Sequence, residues 1–162
     1  MKIKNFTPIE HKDSRGANRI YFEDSNAGIC FKESTSKKHV FRGLHIQLPP
    51  NSQDKYISVT KGCVVDYVLC LNSMSKEFGK IKKFKITSDD GFYKIPKYCA
   101  HGYFAEEESI FSYVCLGKYS EKDELTILME DDFYEGKIVS KKDIAGIDLC
   151  EAIKVFKTIN WE

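Results

Sequence analysis

The chain has 162 residues, 42% hydrophobic and 13% aromatic, with 25 basic against 24 acidic side chains and a formal net charge of +1. That length suits one domain over residues 1–162 with a full core, and the composition points to sheet and away from disorder. Balanced charge argues against nucleic acid as a partner, and no apolar run reaches the length of a signal or a membrane span.

Six cysteines are scattered without a C-x-x-C pair, so they are expected to be free thiols acting as small hydrophobes in a reducing, cytoplasmic setting. Along the chain, a first strand is expected at residues 3–8, then the turn D-S-R-G at 13–16, the strand I-Y-F-E at 20–23 and a turn at 25–28. Residues 34–38 read as a polar, basic approach to F-R-G-L-H-I-Q at 41–47, a strand that Pro49-Pro50 must end. Alternation puts Phe41, Gly43, His45 and Gln47 on one face and Arg42, Leu44 and Ile46 on the other. A histidine and an amide then look over a glycine that leaves room beside them: a pocket floor, or a histidine satisfied inside a core.

Residues 56–60 and 64–71 flank Lys61-Gly62 at hairpin separation. The lysines of 80–85 read as the solvent face of an edge strand. Strands at 80–86 and 92–95 flank Asp89-Asp90-Gly91, those at 102–105 and 110–116 flank three glutamates, and a last one is expected at 125–129. This spacing predicts an all-β sandwich or barrel. Near the end, Ser140 and Asp143 form an S-x-x-D helix start, weakened by Gly146, and Leu149, Ala152, Ile153 and Phe156 make a helical stripe.

Chemistry centres on His45 and on His101 in P-K-Y-C-A-H-G at 96–102, a proline-led loop of the kind that carries site residues at a barrel mouth. Cupin-type barrels bind metal with a Gly-led H-x-H, a nearby Glu and a later His. Here the H-x-H is H-I-Q and the nearest carboxylate is Asp54, and two imidazoles without a third ligand make a poor divalent site. A histidine without metal can serve as a general base beside a carboxylate. Asp66 stands among Val64, Val68 and Cys70 and needs a partner or a shifted pKa; Asp143 by position alone is a helix cap. Lys55 is either a solvated lysine or a group that neutralises an enolate or phosphate. Tyr113, with Phe111 and Cys115 on its face, is either a core tyrosine or a phenolic proton donor.

Together, R-G-L-H-I-Q at 42–47, Q-D-K at 53–55, the Asp66 strand, S-x-x-F-G at 75–79, I-P-x-x-x-A-H-G-Y at 95–103 and F-S-Y-V at 111–114 resemble the dTDP-4-dehydrorhamnose 3,5-epimerase family. D-S-R-G at 13–16 and S-K-K-D at 140–143 echo its ends. The resemblance implies a cupin-type jelly-roll homodimer, without metal or cofactor, that epimerises a nucleoside-diphosphate 4-keto-6-deoxyhexose in deoxysugar or surface-polysaccharide synthesis. It implies a His45–Asp143 dyad as base, Lys55 at the enolate and Tyr113 as the returning acid. Arg15, Arg42, Gln47, Asp66 and His101 match pocket residues that meet the nucleotide sugar. The chain departs from the family at C-F-K-E, 30–33, which replaces Q-D-N-H, at A-N-R-I, 17–20, which replaces an aromatic run, and at a missing tryptophan stretch after the last strand. A metal-dependent cupin isomerase or dioxygenase and a non-catalytic sugar-nucleotide-binding cupin are the alternatives.

Overall fold

The computed structural model describes residues 5–161. In that span the strands are β1 (Ile9–Asp13), β2 (Gly16–Asp24), β3 (Ile29–Ser36), β4 (Phe41–Gln47), β5 (Asp54–Lys61), β6 (Cys63–Cys70), β7 (Ile81–Thr87), β8 (Tyr93–Ile95), β9 (Cys99–Ala105), β10 (Ser109–Leu116) and β11 (Glu124–Thr126). One helix follows, α1 (Leu149–Phe156). A six-stranded sheet runs β1-β2-β3-β10-β5-β8 and a five-stranded sheet runs β11-β4-β9-β6-β7. This is the expected all-β, cupin-like sandwich with a short C-terminal helix, and β7 is the expected edge.

Alternation divides the core in two. Ile57, Val59, Val64, Ile86, Tyr103 and Phe111 fill the space between the sheets. Phe41, Leu44, Ile46, Tyr67 and Leu69 point to the other face of the five-stranded sheet, where Ala152 and Phe156 of α1 and Trp161 cover them. The stripe read from the sequence thus seals an outer face of the sandwich.

Several expectations are corrected. Ile3 and Lys4 lie outside the described residues, and residues 5–8 form no strand; the first strand is β1. The segment read as a polar approach at 34–38 is in part the end of β3, paired on both sides by β2 and β10. It lacks an apolar signal because its inward side chains are buried serines with polar partners: Ser36 Oγ lies 2.9 Å from the Tyr103 hydroxyl and accepts from Arg42 Nε at 2.9 Å. Strands β5 and β6 are no hairpin; Gly62, at φ +80°, carries the chain from one sheet to the other, and Val59 and Val64 bury in the same interior.

The helix does not begin at Ser140. Residues 142–144 form one 3₁₀ turn, after which Ile147 bridges to Ile127, its N–H donating to Thr126 O at 3.1 Å. That bridge occupies the backbone a helix would need. Asp148 then caps α1, accepting from Glu151 N at 2.7 Å.

Candidate active site

A cavity of about 460 Å³ opens at one mouth of the sandwich, walled by β2, β3, β4, β9 and β10 and closed on one side by residues 140–143. Its size suits a small-molecule site. Strand β4 supplies its floor, but not in the alternation expected. Between β4 and β9 the register passes from Arg42 opposite Tyr103 to His45 opposite His101, so β4 spends one residue more than its partner. Such a bulge reverses side-chain parity. Arg42 therefore shares the cavity face with His45 and Gln47, while Phe41, Leu44 and Ile46 face the outer core.

Gly43 does not leave room for a ligand. It sits at φ +123°, and a Cβ there would stand 2.5 Å from Gly102 Cα; one on Gly102 would stand 2.4 Å from Arg42 O. The two glycines let the strands close at the bulge. The displaced Gly43 N–H points to Asp143 Oδ1 at 3.3 Å.

Asp143 is wholly buried. Its Oδ1 lies 2.9 Å from His45 Nε2, an ion-pair distance, although the ring N–H is not aligned for a linear hydrogen bond. Its Oδ2 accepts from Arg15 Nη1 at 2.7 Å, Ser140 Oγ at 2.7 Å and Ser140 N at 3.2 Å. Burial alone pushes a carboxylic acid up, but His45, Ser140 and Arg15 outweigh it and hold Asp143 far below the usual carboxylate range. The S-x-x-D pattern is therefore a local turn that aims a carboxylate at a histidine about a hundred residues away in sequence. Arg15 is itself held by Asp13 Oδ2, at 2.6 and 3.0 Å. The D-S-R-G turn thus braces the dyad.

His101 faces the cavity across the ladder from His45. Behind it, outside the cavity wall, stands Asp66, fully buried, with Oδ1 3.3 Å from His101 Nδ1 and Oδ2 without a partner. Burial raises the Asp66 pKa against the pull of His101, and burial, then Lys55, lowers that of His101. Both shifts favour the neutral pair. Burial likewise lowers Lys55, which lines the cavity near Cys115. Gln47 lines the floor with its amide already engaged: Oε1 accepts from Ser120 N at 2.9 Å, and Nε2 donates to Ser120 O at 3.1 Å.

Tyr113 faces the cavity from β10. Sequence reading had not assigned a role to Asn18, Lys32, Tyr119 or Glu124, which also line it. Lys32 and Asn18 were detectable as the departures C-F-K-E and A-N-R-I. Glu124 carried no such signal; it is the carboxylate that accepts from Tyr119 Oη at 2.7 Å and pairs with Lys142. Among the described residues no group of three or more His, Cys, Asp or Glu converges to hold a metal ion.

A family model described as dTDP-4-dehydrorhamnose 3,5-epimerase matches residues 2–151. The dTDP-4-dehydrorhamnose 3,5-epimerase of Mycobacterium tuberculosis is 32% identical over 143 residues, 77% of this chain and 67% of that one. The crystal structure of the Sulfolobus tokodaii dTDP-4-dehydrorhamnose 3,5-epimerase is 30% identical, with a TM-score of 0.69 over 88% of this chain and 87% of that one. That of the Legionella pneumophila dTDP-6-deoxy-D-glucose-3,5-epimerase, in complex with dTDP-4-keto-L-rhamnose, is 25% identical, with a TM-score of 0.72 over 96% and 92%. With a match running through both sheets and on past Asp143, the chain belongs to the dTDP-4-dehydrorhamnose 3,5-epimerase family.

Proposed function

We propose that the protein is an isomerase that inverts C3, C5 or both in a nucleoside-diphosphate 4-keto-6-deoxyhexose, dTDP-linked or otherwise, during deoxysugar synthesis. The observation that carries this reading is the contact of His45 with a buried carboxylate that Arg15, Ser140 and the Gly43 amide keep ionised. An imidazole oriented by such a carboxylate is placed to act as a general base. Removing a proton alpha to a ketone needs that base, a cation for the enolate oxygen and an acid to return the proton. His45 takes the first role, Lys55 the second and Tyr113 the third, with no cofactor required.

Arg42, Lys32 and Lys55 enter the cavity without a carboxylate salt bridge among the described residues, leaving it positive for an anionic diphosphate. Gln47 holds the wall, and Asp66 acts through His101. The same reading makes the protein a cytoplasmic homodimer.

Incubation with a panel of nucleotide-linked 4-keto-6-deoxyhexoses in deuterated water, followed by NMR, tests the proposal. Deuterium should enter C3, C5 or both, and His45→Ala should slow exchange by about 10²–10⁴-fold. Absence of exchange from every sugar in the panel would refute the epimerase reading.

A further inference from the structure

We infer that Asn18 is a positioning residue for the Tyr113 proton donor: its side-chain N–H donates to the phenol oxygen, which aims the phenol hydrogen into the cavity and steadies the phenolate left behind. The inference rests on the proposed role of Tyr113. Asn18 Nδ2 lies 3.3 Å from Tyr113 Oη, and both side chains line the cavity. They reach each other over β3, where Asn18 stands opposite Ser34 and Tyr113 opposite Lys32.

The orientation of the amide follows from what surrounds it. Asn18 Oδ1 is buried without a partner. Turning the amide over would set that oxygen against the phenol and leave the NH₂ group, with two donors, in the position where one acceptor already goes unmet, the costlier arrangement. With Nδ2 donating, the phenol oxygen is the acceptor, and its own hydrogen is free to point elsewhere.

Lys32 completes the setting. Its amine lies 5.0 Å from the Tyr119 ring centroid, inside the cavity, and it has no carboxylate salt bridge among the described residues. Burial acts to lower its pKa and a Tyr113 phenolate acts to raise it, so the ammonium is favoured as the phenol gives up its proton. In the protonation step the Tyr113 O–H bond breaks, a C–H bond forms at the enolate carbon, and the enolate returns to the ketone. The electron pair of the O–H bond stays on the phenol oxygen, where the Asn18 N–H meets it and the Lys32 charge acts from the same cavity. Asn18 lies in A-N-R-I and Lys32 in C-F-K-E, so both belong to stretches in which this chain departs from the family pattern.

The test compares wild type, Tyr113→Phe, Asn18→Ala and Asn18→Asp in deuterated water, reading deuterium exchange and stereochemical inversion separately. Exchange reports the base and an intact cavity; inversion also needs the returning acid. Tyr113→Phe should keep exchange and lose inversion. Asn18→Ala should lower the ratio of inversion to exchange about tenfold, the worth of one hydrogen bond to a developing charge. Asn18→Asp, nearly the same shape but with no donor, should lower it further. An Asn18→Asp ratio at or above that of Asn18→Ala would show that the amide accepts from the phenol and overturn the inference. Parallel loss of exchange and inversion in both Asn18 variants would show a structural role and overturn it too. Full inversion by Tyr113→Phe would overturn the reading of Tyr113 itself, and the inference with it.

Discussion

Two histidine–aspartate pairs face each other across one rung of the β4–β9 ladder, and both aspartates are fully buried. In the first, Arg15, Ser140 and the Gly43 amide join His45 around Asp143, and the carboxylate is held far below its usual pKa. In the second, Asp66 has His101 alone, one oxygen goes without a partner, and burial pushes the acid up and the imidazole down. Depth is therefore not what sets the charge of a buried carboxylate here. The number and kind of donors around it decide, because each donor offsets part of the desolvation cost of the anion.

Asp143→Asn should break this contrast most. It keeps the shape but leaves His45 without its anion and Arg15 with Asp13 alone. Exchange should fall at least about 10²-fold, and stability by about 3–5 kcal/mol, the cost of opening a buried pair. The pH dependence has a definite sign. The folded pKa of Asp143 is depressed, so its stabilisation is full above the unfolded value near 4 and is lost as pH falls through the folded value. Urea midpoints measured from pH 7 down to pH 3 should therefore drop less steeply for the variant than for wild type.

Ser140→Ala removes one donor and leaves the charge. A loss of about 1.5–3 kcal/mol in unfolding free energy, read from urea denaturation, is expected, as for a hydrogen bond to a charged group, with exchange slowed less than in Asp143→Asn. Asp66→Asn should do least. The folded pKa of Asp66 is raised, so wild type loses stability as pH rises from about 4 through the folded value. The variant cannot ionise and escapes that loss, so its melting temperature relative to wild type should rise between pH 4 and pH 8. A large loss at pH 8 would mean that the second pair is ionised after all.

Much of this was legible from residue order. The strands at 41–47 and 110–116, the edge lysines of β7 and the apolar stripe of α1 follow from periodicity and turn chemistry, because each is set by neighbours within a few residues. What escaped depends on contacts between distant parts. The parity of Arg42 turns on a bulge that exists only when Gly43 meets Gly102. The end of β3 hides because its inward face is lined with serine and lysine for a polar cavity, where apolar alternation has no reason to appear. The sheet change at Gly62 looks like a hairpin because both leave the same local signature. Asp143 is the sharpest case: locally it is a turn-capping acid, and only its meeting with His45 gives it another task.

The segment after β11 both covers the outer face of the five-stranded sheet, through α1 and Trp161, and brings Asp143 to the mouth of the sandwich. During synthesis on a ribosome, strands β1 to β11 are all made before that carboxylate emerges. The partner of His45 thus arrives together with the cover that seals the sheet, so a nascent or clipped chain ending at β11 would present the histidine without its orienting anion and an uncovered apolar surface with it. On the roles proposed for His45 and Asp143, catalytic competence and the covering of an apolar sheet face depend on one and the same segment after β11.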